Sequence, residues 1–233
     1  MLILGLETTA KSASAALWRD GELLGMSLQR TALTHSETLL PMTEAMLQNC
    51  GFCIADVDCI AVAEGPGSFT GVRIGVATAK GLCWAADKSA IGVSTLEAMA
   101  YLAPDAGDAV ICPVMDARRA QVYGATFENR DGCPVRLTPD RALAAEELAR
   151  EVAESGRRAY VLGDGAELFA RALEKLGAAY TLAPELTRRQ NAWGVCLAAA
   201  GKEPRSAEEL LPVYLRLSQA ERERQERMEK ARQ

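Results

Sequence analysis

The chain has 233 residues, a net charge of −5 and a hydrophobic content of 49%. A chain of this length can bury roughly 70–75% of its unfolded surface, so it forms one large domain or two small ones. No apolar run is long enough for a membrane-spanning helix. The acidic balance, with basic residues only in scattered pairs, argues against strong independent binding of RNA.

The cysteines and the N-terminus indicate the cellular compartment. Seven cysteines, an odd number, predict reduced thiols and a cytoplasmic protein. The first residues lack a basic region and soon reach Glu7, so we expect a core strand there and no signal peptide. Cys50 and Cys53 form a C-x-x-C pair, but no second pair completes a four-ligand zinc site. We therefore expect buried thiols and no metal.

The first strand is predicted over residues 2–8 and runs into Glu7, Thr8 and Thr9. Residues 12–29 predict a hairpin around a glycine-containing turn. Three strands in this order resemble the opening of the actin, Hsp70 and sugar-kinase superfold, in which the loop after the first strand lies near phosphates and metal. Strand-end residues that cap a hairpin are the alternative interpretation.

A helix is predicted over residues 34–50. Its apolar positions Leu39, Met42 and Met46 recur at helical spacing and form either a core face or a partner face, which periodicity does not separate. His35 is the only histidine of the chain. One histidine cannot supply a paired-histidine metal site, so we expect it to form a hydrogen bond at the helix start.

The glycine-rich stretch Gly65–Gly75 is the most specific signal in the chain. It follows an apolar strand and precedes a helix of small residues, an arrangement that points backbone N–H groups and a helix dipole at an anion. Gly65 and Gly67 allow a positive φ, and Ser68 or Thr70 can cap the helix. The lysine of a Walker A loop is missing. A purely structural turn and an anion site both stay open.

Arg73 lies in the first turn of that helix, where a cation opposes the dipole. It is expected to need an acidic partner, Glu64 or Glu7, or an anionic ligand. Together with the end of the first strand, this turn forms a candidate phosphate-side or structural loop, consisting of Glu7, Thr8, Thr9, Gly65, Gly67, Ser68, Thr70 and Arg73.

A second α/β unit begins after a polar boundary at residues 104–108. Its first strands are joined by the turn 116–119, which Tyr123 follows. Residues 163–165 repeat the strand–glycine–helix arrangement and predict a simple turn, with the adenosine side of a kinase-type cleft as the alternative. The tail 219–233 is charged almost throughout and predicts an exposed, partner-docked or frayed helix.

Three segments resemble the TsaB (YeaZ) family of tRNA threonylcarbamoyladenosine biosynthesis proteins. They are Gly65–Gly75, the Asp-Ala-Arg-Arg turn 116–119 with its tyrosine, and residues 212–216. The resemblance implies an α/β protein of two lobes, with mixed sheets flanked by helices, in the actin-like (ASKHA) superfold. We expect residues 1–104 to form the first lobe, with a C-terminal helix 205–233 packed on it, and residues 105–204 to form the second.

The resemblance also implies a function. Members of this family are non-catalytic activators of TsaD, which acts with TsaE to transfer a threonylcarbamoyl group from its adenylate to N6 of adenosine 37 in tRNAs that read codons beginning with A. The chain alone is then expected to bind no cofactor, because ATP with magnesium and threonylcarbamoyl-AMP belong to the complex. It would contact tRNA only through the complex and form a homodimer when isolated. The implied partner interface is Leu39, Met42, Met46, Gly75, Val76 and Ala79.

Two other classes of function remain open at this point. A small-molecule kinase of the same superfold would explain the glycine turns and the acidic loop after the first strand, and would require a magnesium–nucleotide site. A peptidase is the weaker alternative, because the sequence contains neither a zinc-binding H-E-x-x-H motif nor an evident Ser/His/Asp triad.

Overall fold

The structure, a computed structural model, describes residues 1–216. Within this range the chain forms two mixed sheets flanked by helices, as predicted for the fold class. The strands of the first sheet are β1 (Leu2–Glu7), β2 (Ala13–Arg19), β3 (Glu22–Gln29), β4 (Cys59–Gly65) and β5 (Ser89–Ser94). Their order in the sheet is β3-β2-β1-β4-β5. The first three strands are antiparallel, whereas β1, β4 and β5 run parallel.

The second sheet repeats this plan of an antiparallel part followed by parallel strands. Its strands are β6 (Val110–Asp116), β7 (Gln121–Gly124), β8 (Phe127–Arg130), β9 (Cys133–Arg136), β10 (Arg141–Ala144), β11 (Ala159–Leu162) and β12 (Tyr180–Leu182). The main path is β10-β7-β6-β11-β12, and the β8–β9 hairpin joins it through β6. Strands β6, β11 and β12 are parallel. Their carboxyl ends therefore meet at one edge, as those of β1 and β4 do in the first sheet.

The helices cover both sheets and bury their apolar faces. They are α1 (His35–Asn49), α2 (Phe69–Ala86), α3 (Thr95–Ala100), α4 (Ala145–Glu154), α5 (Ala166–Lys175), α6 (Glu185–Arg188) and α7 (Ala192–Ala199). Helices α1 and α2 pack on one face of the first sheet, and α3 and α7 on the other. Helices α4 and α5 pack on the second sheet. None of the helices within residues 1–216 is long and apolar enough to cross a membrane.

The C-terminal part of the chain is placed differently from the predicted division into lobes. The predicted second lobe, 105–204, includes α7, yet α7 packs on β1, β2 and β4 of the first sheet. The composition of α7 explains this packing. Its small residues Ala192 and Cys196 lie against Gly5 of β1, where a side chain would leave no room for them. The predicted helix 205–233 is also absent from its described part, which contains only a 3-10 turn at Ala207–Glu209. Its remainder lies outside the described residues.

The predicted partner interface is buried in the protein's own core. Leu39, Met42 and Met46 are at most 6% exposed, because this stripe of α1 faces the first sheet. The small residues of α2 predicted for the same interface, Gly75, Val76 and Ala79, are likewise buried. The set is therefore a core and not a surface of the folded chain. Periodicity identified the apolar stripe correctly but could not show what covers it.

Candidate functional site

The glycine-rich turn packs directly against the loop that follows β1. The Ser68 N–H donates to the backbone oxygen of Thr9 at 2.7 Å, and the Thr8 hydroxyl donates to the backbone oxygen of Gly71 at 2.7 Å. A Cβ atom on Gly67 would lie 2.6 Å from the Thr9 backbone oxygen. A Cβ atom on Gly71 would collide with the backbone oxygen of Thr8. The glycines thus serve close packing of two backbone segments.

The conformations of the turn differ in part from those expected. Gly65 has a positive φ of 119°, whereas Gly67 does not and is required for space instead. Ser68 caps α2 by accepting from the Gly71 N–H at 3.4 Å, and Thr70 is exposed and takes no part in the cap. The candidate loop is therefore assembled as one unit, in which the N–H groups of Ser68 and Gly71 are used internally.

Arg73 finds its partners in the C-terminal segment and not among the acids. Its Nε donates to the Tyr214 hydroxyl at 2.8 Å, and its guanidinium lies 3.9 Å from the centroid of the Phe69 ring. The rings of Phe69 and Tyr214 stack with centroids 4.4 Å apart. The expected pairing with Glu64 or Glu7 is wrong, because aromatic faces and a hydroxyl satisfy the guanidinium at the helix start.

Glu7 is buried beneath this loop with one carboxylate oxygen unsatisfied. The Thr9 N–H donates to Oε1, while Oε2 has no hydrogen-bond partner within residues 1–216. Burial raises the pKa of Glu7 to about 7, and the nearby Asp164 adds to the rise. At neutral pH the carboxyl group is thus only partly ionised in the chain as described.

The cleft between the lobes, with a volume of about 590 Å³, opens above these residues. Its second-lobe wall carries Asp164, which accepts from the Asp116 N–H at 3.3 Å and from Gln190 Nε2 at 3.1 Å. Desolvation between the walls raises the pKa of Asp164. Asp164 belongs to the turn 163–165, where Gly165 abuts β6 at Met115. The turn thus places a carboxylate opposite the candidate loop.

The C-terminal segment closes one side of the cleft, which the sequence did not predict. The Val213 N–H donates to the backbone oxygen of Glu64 at 2.7 Å, and the Arg216 guanidinium donates to the backbone oxygen of Ala117 in the second lobe. This segment therefore spans both lobes. The family resemblance of residues 212–216 was the one signal that marked it.

His35 holds the start of α1 against the same loop, as expected for a structural residue. Its Nε2 lies 2.8 Å from the backbone oxygen of Ala10. The described residues contain no group of three or more histidine, cysteine or acidic side chains arranged to hold a metal ion. The cleft is therefore built from hydrogen bonds, stacked rings and charged side chains.

Comparison with known proteins gives consistent matches. The family model of the tRNA N6-adenosine threonylcarbamoyltransferase TsaD matches residues 25–159. The tRNA threonylcarbamoyladenosine biosynthesis protein TsaB of Bacillus subtilis is 33% identical over 95% of this chain and 96% of its own length. A Pseudomonas aeruginosa protein, described as similar to the peptidase YeaZ, superposes with a TM-score of 0.78 at 28% identity, covering 92% of this chain and 99% of its own.

A more distant structure shares the fold. Component A of (R)-2-hydroxyglutaryl-CoA dehydratase from Acidaminococcus fermentans superposes with a TM-score of 0.50 at 12% identity, covering 84% of this chain and 96% of its own. At this identity the likeness concerns the fold alone, which is the actin-like fold expected from the sequence.

The packing of Gly67 predicts that even one added carbon atom destabilises the protein. We expect Gly67→Ala to lower the free energy of unfolding by about 1–3 kcal/mol, because its Cβ would overlap the Thr9 backbone. Gly81→Ala, in α2 with no atom within 4 Å of its Cβ position, is the control and should be neutral or stabilising by up to about 1 kcal/mol. Urea unfolding measures both. Equal stabilities would show that the turn is not tightly packed.

The burial of Glu7 predicts a pH-dependent stability. The folded pKa of about 7 exceeds the ordinary glutamate pKa of 4.5. Folding therefore takes up a proton between these values, and stability falls as the pH rises through this window. The loss from this group amounts to about 3 kcal/mol above pH 7. Glu7→Gln should remove it, whereas Glu22→Gln on the exposed strand β3 should not. Unfolding at pH 5 and pH 8 tests this, and an unchanged pH dependence in Glu7→Gln would contradict it.

Proposed function

The chain belongs to the TsaB family of tRNA threonylcarbamoyladenosine biosynthesis proteins, and we propose that within this pathway it is a non-catalytic partner that holds and activates TsaD. A role in threonylcarbamoyladenosine modification of tRNA follows from its family. The finer proposal assigns the transfer from threonylcarbamoyl-AMP to N6 of adenosine 37 to TsaD, with TsaE as the ATP-using component in a cytoplasmic complex.

The observation that carries the partner role is an exposed face on α1 and α2. Trp84 is 86% exposed on α2, and Leu40 is 48% exposed on α1. On α2 the small residues Ala77 and Gly81 are also exposed, one helical turn apart. Small residues allow a partner helix to approach closely, and an exposed tryptophan is a frequent centre of binding energy. This face, named here the α1–α2 face, lies on the side of these helices opposite the core that was predicted as an interface.

The closed glycine turn supports the assignment of catalysis to the partner. A kinase-type phosphate site needs free backbone N–H groups at the start of the helix. In this chain the Ser68 and Gly71 N–H groups are engaged internally, and the Phe69–Tyr214 stack with Arg73 lies beside them. No observation favours the kinase alternative. The peptidase alternative lacks a paired-histidine metal site, because the sequence has a single histidine, whose Nε2 lies 2.8 Å from the backbone oxygen of Ala10.

The same face serves two pairings in this proposal. In the isolated chain it pairs with a second copy, and in the cell it pairs with TsaD, so the two pairings exclude each other. A large apolar residue exposed to water in the free chain is the driving force for either one.

Substitutions on the α1–α2 face test the partner role. We expect Trp84→Glu and Gly81→Leu each to weaken capture of TsaD and self-association at least about tenfold, through lost apolar contact and blocked helix approach. Both positions lack packing neighbours that folding requires, so the fold should persist. Leu186→Glu is the control, since Leu186 is 91% exposed on the second lobe.

Affinity of TsaD capture and light scattering of the isolated variants provide the measurements. Folded Trp84→Glu and Gly81→Leu proteins that bind TsaD as tightly as the control would place the interface elsewhere.

A further inference from the structure

Five basic side chains from five separate segments line the cleft. They follow β1, β3 and α6, or lie in the turn between β6 and β7 and in the C-terminal segment, and they are Lys11, Arg30, Arg189, Arg118 and Arg216. Three carboxylates, of Asp116, Asp164 and Glu167, line the same cleft. The lining is thus basic on balance, although the whole chain carries a net charge of −5.

Most of these cations have no partner in the folded chain. The side chains of Lys11, Arg30, Arg118 and Arg189 form no ion pair or hydrogen bond within residues 1–216, and Arg216 donates only to a backbone oxygen. Elsewhere on the second lobe Arg136, Arg141 and Arg157 each pair with a carboxylate, whereas Arg150 and Arg158 form no ion pair within residues 1–216. The cleft is distinguished by the gathering of four such unpaired cations around one cavity.

The turn that carries Arg118 is held in an unfavourable conformation. Arg118, Arg119 and Ala120 have φ values of 67°, 54° and 57°, a left-handed run of three residues other than glycine. Each such residue costs free energy, and backbone strain of this kind is concentrated at functional sites. The Arg118 N–H donates to the Asp116 carboxylate at 2.7 Å, which fixes the turn at the cleft. The strained backbone of this turn thus holds two exposed arginines, Arg118 and Arg119.

We infer that these side chains bind the phosphodiester backbone of a short stretch of RNA along the cleft rim, an inference that rests on the proposed function, whose substrate is tRNA. Guanidinium groups bind phosphate oxygens with bidentate hydrogen bonds. The cations come from five separate segments of the cleft lining, which suits a strand that offers several phosphates. A free nucleotide is less favoured, because two donors at the start of α2, the N–H groups of Ser68 and Gly71, are already occupied.

This site predicts weak RNA binding by the isolated chain. Few phosphate contacts and an acidic remainder give a low, strongly salt-dependent affinity. These phosphate contacts become useful when a partner holds the same RNA, because the linked sites raise the effective concentration of the RNA at the cleft. The sequence predicted that tRNA is contacted only through the complex, and this site refines that view by assigning direct contacts to this chain.

The test compares two double variants that remove the same charge. Arg118→Gln with Arg189→Gln changes the cleft, and Arg150→Gln with Arg158→Gln is the control. Arg150 lies on α4, and Arg158 precedes β11 at the end remote from Asp164. Binding of an end-labelled, unmodified tRNA transcript to the full chain is measured by fluorescence anisotropy between 25 and 200 mM salt, with circular dichroism to verify folding and magnesium–ATP as a competitor.

Loss of two phosphate contacts should lower the slope of log affinity against log salt concentration by about 1.5 in the cleft variant and leave the control at the wild-type slope. Equal slopes in the two variants, or no wild-type binding at 25 mM salt, would overturn the inference. So would displacement of the RNA by micromolar magnesium–ATP, which would assign the cleft to a free nucleotide.

Capture of TsaD is measured in parallel to separate the two proposals. The cleft variant should capture TsaD normally. If it loses TsaD and keeps its RNA slope, the rim is a protein-docking site and the RNA inference is wrong. If the wild type fails to capture TsaD while the slope change persists, the proposed function fails and the RNA site stands.

Discussion

The contact between the loop after β1 and the start of α2 is the constraint on which the site depends. The Ser68 N–H bonds to the Thr9 backbone oxygen, the Thr8 hydroxyl bonds to the Gly71 oxygen, and glycines at 67, 71 and 75 leave no space between the segments. Both segments lie at the carboxyl ends of parallel strands, where α/β folds usually bind ligands. Here the two chain segments satisfy each other. Two of the donors that could otherwise bind a phosphate, the N–H groups of Ser68 and Gly71, are used by the fold.

This contact occupies part of the cleft wall with internal hydrogen bonds. The N–H groups of Ser68 and Gly71 are bonded within the fold, and Glu7 lies buried beneath the same loop with a raised pKa. The remaining capacity for interaction lies at the periphery, on the α1–α2 face around Trp84 and on the basic rim around Arg118. A protein with two peripheral binding surfaces and a closed centre fits the role of a partner that positions another enzyme and its substrate.

The sequence predicted the parts governed by local chemistry. Hydrophobic runs gave the strands, Ser68 was a candidate cap, and the resemblance of the glycine-rich stretch identified the family. Contacts between segments far apart in the chain could not be predicted from the sequence. Arg73 pairs with Tyr214, which is 141 positions away, and the interface predicted on Met46 turned inward because spacing does not reveal which face a sheet covers. The basic rim was missed because its cations come from five segments that only the fold brings together.

Hydrogen exchange of the Ser68 amide reports directly on the contact between the two segments. In the structure this N–H is bonded to the Thr9 oxygen and is not available to a ligand. We expect slow exchange in the isolated chain, with protection comparable to the interior of α2 and unchanged by millimolar magnesium–ATP. Exchange at the rate of an unbonded amide, or added protection when magnesium–ATP is present, would show an open turn that binds phosphate and would contradict this expectation.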